Sequence, residues 1–169
     1  MILNAFTAFH VALSLIGISS GVVAIYELLK AKTPGLWTKT FLATTAATSL
    51  TGFLFPFRGF TPAHVLGVLS LIALVIASLS IYRYHLRGGW RRTYAITAVM
   101  ALYFNVFVLI VQLFRRVPAL NASAPTQSEP PFQIAQLTVL LLFAAIGIRA
   151  STAKPQRGRV PYFLDPEGD

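Results

Sequence analysis

Cysteine is absent from all 169 residues, which removes disulfides, iron–sulfur clusters, thiolate metal sites and thiol catalysis. Charge is almost as scarce. Only 11% of the chain is Asp, Glu, Lys or Arg, against about 25% in an ordinary soluble domain. Acids are the rarer sign: five carboxylates, three of them in the last five residues, stand against fourteen basic side chains and leave a formal charge of +9. Paired-carboxylate chemistry and a mid-membrane carboxylate relay therefore lack their residues. Gly-x-Ser-x-Gly, His-Glu-x-x-His and phosphate-cradling glycine loops are missing as well, so no catalytic residue is assigned and the chain reads as a non-enzyme.

Apolar length is what the sequence has instead, with 56% hydrophobic residues. Five stretches meet the roughly 17 to 25 residues needed to cross a hydrocarbon layer: 5–26, 41–57, 63–82, 94–114 and 132–148. The basic residues sit in short clusters between these runs, a membrane-topology pattern and not that of a nucleic-acid binder. The second stretch is the least apolar, with Thr44, Thr45, Thr48, Thr51, Gly52 and Pro56. A membrane helix accepts threonines because each hydroxyl can bond a carbonyl one turn back.

Five crossings place Lys30, Lys32, Lys39, Arg83, Arg87, Arg91, Arg92, Arg149, Lys154, Arg157 and Arg159 on one side, and only Arg58, Arg115 and Arg116 on the other. Lys and Arg in short loops mark the cytoplasmic side. Losing the threonine-rich crossing would reduce eleven against three to eight against six and erase the signal. The expected fold is all-α: an integral membrane bundle of five transmembrane helices over residues 1–150, amino terminus outside, carboxyl terminus cytoplasmic, followed by a tail over 151–169. The first stretch is expected to be retained, since it has no basic leader and no small-x-small cleavage site. Pro34-Gly35 and Gly88-Gly89 read as tight turns. The outer loop 117–131, with four prolines, reads as an extended segment packed over helix ends. The tail begins basic and ends acidic, as a surface tether or a docking segment.

Small and polar residues recur at helical spacing. His10, Ser14, Gly17 and Gly21 share one face of the first span, and Ala63, Gly67, Ser70 and Ala77 one face of the third. Tyr94, Ala98, Ala101, Asn105, Val108 and Gln112 share one face of the fourth. Such faces pack against other helices in lipid. In the expected orientation His10 lies about 10 Å below the outer surface. His64, Asn105, Gln112, Gln133, Gln136 and Glu129 join it in the outer half, with Arg58 at the rim, as candidates for a polar ligand pocket. Two histidines on different helices with a rim arginine are also the minimum for a b-type haem, with iron between His10 and His64 and Arg58 on the propionates. Quinone beside Gln112 and Tyr103 is the related alternative, and either would make the chain a membrane oxidoreductase of cytochrome b type. His85, among arginines at a helix end, suits the helix dipole and anionic lipid. Glu27 borders the first span with Lys30 or the Arg83 cluster as expected partners.

The strings TGFLFPFRGFTPAH (51–64) and FNVFVLIVQLF through PTQSEPPF (104–132) resemble a group of small multi-span bacterial inner-membrane proteins with no assigned activity. That resemblance implies a bacterial inner-membrane location and transfers no site. The combined expectation is a non-enzymatic accessory or binding subunit with a polar pocket in its outer half, in contact with anionic lipid and with a membrane partner or a second copy of itself. A haem or quinone redox protein and a small channel or carrier are the alternatives.

Overall fold

The computed structural model describes residues 2–30, 32–55 and 62–153. Arg58, the end of the second expected span and the basic-to-acidic tail from 154 onward lie outside the described residues. Among the described residues six helices follow in order: α1 (Ile2–Leu29), α2 (Leu36–Gly52), α3 (Pro62–Tyr82), α4 (Trp90–Arg116), α5 (Pro118–Ser123) and α6 (Pro130–Thr152). No strand occurs among the described residues. By length and composition α1, α3, α4 and α6 can each cross a membrane. The shorter α2, at 17 residues, carries six threonines.

Local chemistry sets the boundaries. Pro62, Pro118 and Pro130 each open a helix, where the missing N–H is no loss and the fixed φ is already helical. Gly35 is the extended N-cap of α2, which starts five residues before the expected 41. The chain then stops α2 at Gly52, with the Phe53 N–H bonded back to Leu50 and Thr51. The loop 117–131 is not wholly extended: α5 forms within it, because Pro118 starts a turn that Ala119, Leu120 and Ala122 can continue. Between α3 and α4 the reversal uses His85 (φ 49°), Leu86 (φ 56°) and Gly88 (φ 55°), and the Leu86 N–H bonds the Ser80 carbonyl at 2.9 Å.

Contacts between ends show that the long helices alternate in direction. His10 near the start of α1 meets Thr51 at the end of α2, and Phe53 meets His64 at the start of α3. Phe114, ending α4, meets Phe132, starting α6. At the opposite level Thr38 of α2 meets Tyr94 of α4, and Arg91 donates to the carbonyls of Leu28 and Ala153. One arginine thus caps the carboxyl ends of both α1 and α6, where a cation suits the dipole. The two levels are the His10 end and the Trp90 end.

The apolar core lies toward the Trp90 end. Ala24, Phe41, Ala73, Ala77, Ala95, Ala98 and Ala101 are buried there among Leu28, Leu74 and Leu102. Alanine at these positions lets helix backbones approach closely, which is what drives association when lipid is as apolar as leucine. Gly21 is the closest point: a Cβ there would come within 2.7 Å of Leu102 and 2.8 Å of Phe41.

Candidate functional site

The expected outer-half residues fall into two groups, built on different helices. In the first, α2 presents threonines to α1 and α4. The hydroxyls of Thr44, Thr48 and Thr51 donate to carbonyls four residues back at 2.7–2.8 Å, so their lone pairs remain to accept from neighbouring helices. Thr45, fully buried, accepts from Asn105 Nδ2 at 3.3 Å. Gly17 of α1 faces both, with Thr45 Oγ1 3.0 Å from the position of a Cβ. The glycine of the α1 stripe makes room for this polar contact.

His10 closes the same seam. Its Nδ1 lies 2.8 Å from Thr51 Oγ1. Thr51 has one hydrogen, which goes to the Ala47 carbonyl, so the network assigns His10 as donor from Nδ1 and leaves Nε2 as an acceptor. The ring stands edge-on to Phe55 at 5.1 Å, and Phe55 meets Phe6 at 4.9 Å. His64 packs instead on Phe53, 5.9 Å between ring centres. Both imidazoles therefore touch the carboxyl-terminal end of α2, one on Thr51 and Phe55, the other on Phe53. Arg58, the third member of the expected haem set, lies outside the described residues.

The second group joins α4, the loop before α6 and α6 itself. Gln136 is buried and donates from Nε2 to the Phe107 carbonyl at 3.3 Å, while its Oε1 is buried without a hydrogen-bond partner. Gln133 donates to the Ser128 carbonyl at 2.7 Å. Glu129 accepts from the Thr126 N–H and hydroxyl and from the Ser128 N–H at 2.8–3.1 Å. Partial desolvation works against ionisation of Glu129, but these bonds outweigh it and hold its carboxyl below the usual value. Gln112 is exposed.

Family models, curated proteins and solved structures give no match to this chain.

Two further residues carry weight that their sequence context did not reveal. Gln127, at φ 61°, donates to the Val111 carbonyl at 2.9 Å and straps the loop to α4. Arg91 ties two helix ends, as above. Glu27 shows neither expected partner: Lys30 stands over the Tyr26 ring and Arg83 over the Tyr84 ring, while Glu27 Oε2 is buried with no hydrogen bond. Among the described residues no group of three His, Cys, Asp or Glu side chains could hold a metal ion.

Proposed function

We propose that the chain is a five-crossing, non-enzymatic subunit of a bacterial inner membrane that holds a partner through its sixth helix and outer half. The observation that carries this reading is the nakedness of α6. Only Gln136 and Ala150 of its 23 residues are buried, and Ile134, Leu137, Leu141 and Ile148 are all exposed. Exposed leucines suit lipid as they stand, but this helix, docked mainly on α4, also leaves the small residues Thr138, Ala144 and Ala145 exposed, and small residues are what admit a second membrane helix.

Five crossings are supported by the reach of α2. Thr38 and Thr51 contact opposite ends of the bundle and lie about 20 Å apart by helical rise. The amino-outside orientation is supported by charge. Lys30, Lys32, Lys39, Arg83, Arg87, Arg91, Arg92 and Arg149 gather toward the Trp90 end, and Arg115 and Arg116 at the His10 end. The resemblance of segments 51–64 and 104–132 supports the bacterial setting.

Photo-crosslinking residues placed singly at Ile134, Leu141 and Ile148 in native membranes are expected to give one discrete protein adduct, and outward positions on α3 such as Val68 none. Equal adducts from both helices, or lipid adducts alone, would overturn the partner reading. Reporter fusions after Lys39 and after Thr152 are expected to report cytoplasm; a periplasmic signal at either would overturn the topology.

One observation favours a redox reading: His10 Nε2 is left as an acceptor by the Thr51 contact, the arrangement a metal-ligating imidazole uses. A Soret band that His10→Leu and His64→Leu each abolish would establish it, and no band after expression with added haem would remove it.

A further inference from the structure

We propose that the groove between α2 and α3 at the Trp90 end is a site for one anionic phospholipid, with an acyl chain along the groove and the headgroup phosphate on Arg83. The groove exists because α2 packs chiefly on α1, and α3 chiefly on α4, so their mutual seam gapes. It is an open groove of about 530 Å³, within the roughly 300–1,000 Å³ of small-molecule sites. Leu42, Ala46, Val75 and Leu79 line it, and Tyr82 and Arg83 stand at its mouth.

The mouth is built. Tyr84 and Trp90 stack at 3.7 Å with their planes 2° apart, and the Arg83 guanidinium lies over the Tyr84 ring, 5.8 Å from its centre. The left-handed residues His85 and Leu86 lie in the reversal between the two stacked rings. Non-glycine residues at such φ are strained by about 1 kcal/mol or more. Of the two carboxylates among the described residues, Glu129 is engaged at the opposite end, and no described ion pair joins Arg83 to Glu27. A planar cation at interface depth, oriented by aromatic rings and set at the end of an apolar trough, complements a molecule with a phosphate and a hydrocarbon tail. Water cannot fill such walls in a bilayer, and a neutral chain would leave the arginine unmet. The site does not depend on which side of the membrane this end faces.

The full chain, purified in mild detergent and delipidated, would be titrated with phosphatidylglycerol, with phosphatidylcholine of the same chains, and with inorganic phosphate, reading bound lipid by native mass spectrometry. Phosphatidylglycerol is expected to bind one per chain, phosphatidylcholine distinctly more weakly because its choline cation is brought beside the Arg83 guanidinium, and inorganic phosphate, with no acyl chain for the groove, not at all. Arg83→Gln is expected to weaken it on the order of tenfold, the loss of a charge-assisted hydrogen bond, and Arg83→Lys less. Val75→Trp, at an exposed wall position, is expected to abolish binding with the unfolding temperature unchanged. Arg92→Gln, an exposed charge at the same end, is expected to stay within about twofold. Equal losses from Arg83→Gln and Arg92→Gln, or undiminished binding in Val75→Trp, would overturn the site and leave only diffuse attraction to the basic end.

Discussion

Helices α2 and α6 invert the relation between apolarity and burial that holds in water. The threonine-rich α2 is set into the bundle with Phe41, Thr45 and Thr38 almost fully covered. The leucine-rich α6 buries two residues. In lipid this is what the solvent dictates. A leucine gains nothing by leaving hydrocarbon for protein, whereas a hydroxyl gains a hydrogen bond and a glycine gains backbone contact. Polar and small residues therefore share the interior of this bundle with Phe41, Leu74 and Leu102, while the leucines of α6 stay outside.

The largest expected effect tests that inversion with one pair of substitutions. Gly21→Ala places a methyl 2.7–2.9 Å from Leu102 and from the fully buried Phe41 ring, so the α1–α2–α4 contact must open. Overpacking of this kind costs about 1–3 kcal/mol. Gly147→Ala on α6 meets only Val99 at 3.6 Å, ordinary van der Waals contact, and is expected to change stability by less than about 0.5 kcal/mol, the usual range away from packed features. Reversible unfolding in mixed micelles measures both. Equal losses would mean that α6 is packed as closely as α1 and would break the comparison.

A smaller effect is expected from Thr45→Val, which keeps the volume and removes the acceptor for Asn105. Interhelical hydrogen bonds in membranes contribute about 0.6 to 2 kcal/mol, and the loss should lie in that range. Adding Asn105→Leu is expected to restore part of it, because the amide is then no longer stranded among apolar neighbours. A double variant as unstable as the two losses summed would show that Asn105 and Thr45 do not act together and that the seam is held by packing alone.

Much of this was legible in the sequence, and the misses have physical causes. The stripes His10–Gly21 and Tyr94–Gln112 pack along most of their length, as small residues at helical spacing do in lipid, but Gln112 at the end of the second is exposed. The threonines read correctly as helix-compatible, since Thr44, Thr48 and Thr51 bond back to their own helix. The start of α2 read late because Leu36 to Thr40 mixes Trp37 and Lys39 with apolar residues, and interface turns lack the hydrophobic run that defines a span. The α3–α4 reversal showed its Gly88-Gly89 but not the left-handed His85 and Leu86; Leu86 turns inward to pack on the core, a tertiary demand that no local pattern displays. One outer pocket was expected from depth alone. Depth places residues at one level but does not say which helices separate them, and the α2 end takes His10 while α4 takes Gln136 and Gln127.

The smallest expected effect is also the one that decides what α6 is for. Gln136→Leu removes the Nε2 bond to Phe107, a carbonyl already within the α4 helical ladder, and removes an Oε1 that is buried without a donor. Gain and loss should nearly cancel, so stability in micelles is expected to stay within about 0.5 kcal/mol, because replacing an imperfectly satisfied polar group by an apolar one of similar shape is nearly neutral. In native membranes the same substitution is expected to leave the crosslinked adduct from Ile134 in place, since Oε1 is buried and not presented to another chain. A loss of more than about 1 kcal/mol in micelles would show instead that this bond holds α6 to α4, making the helix part of the bundle's own packing and not a surface kept open for another chain.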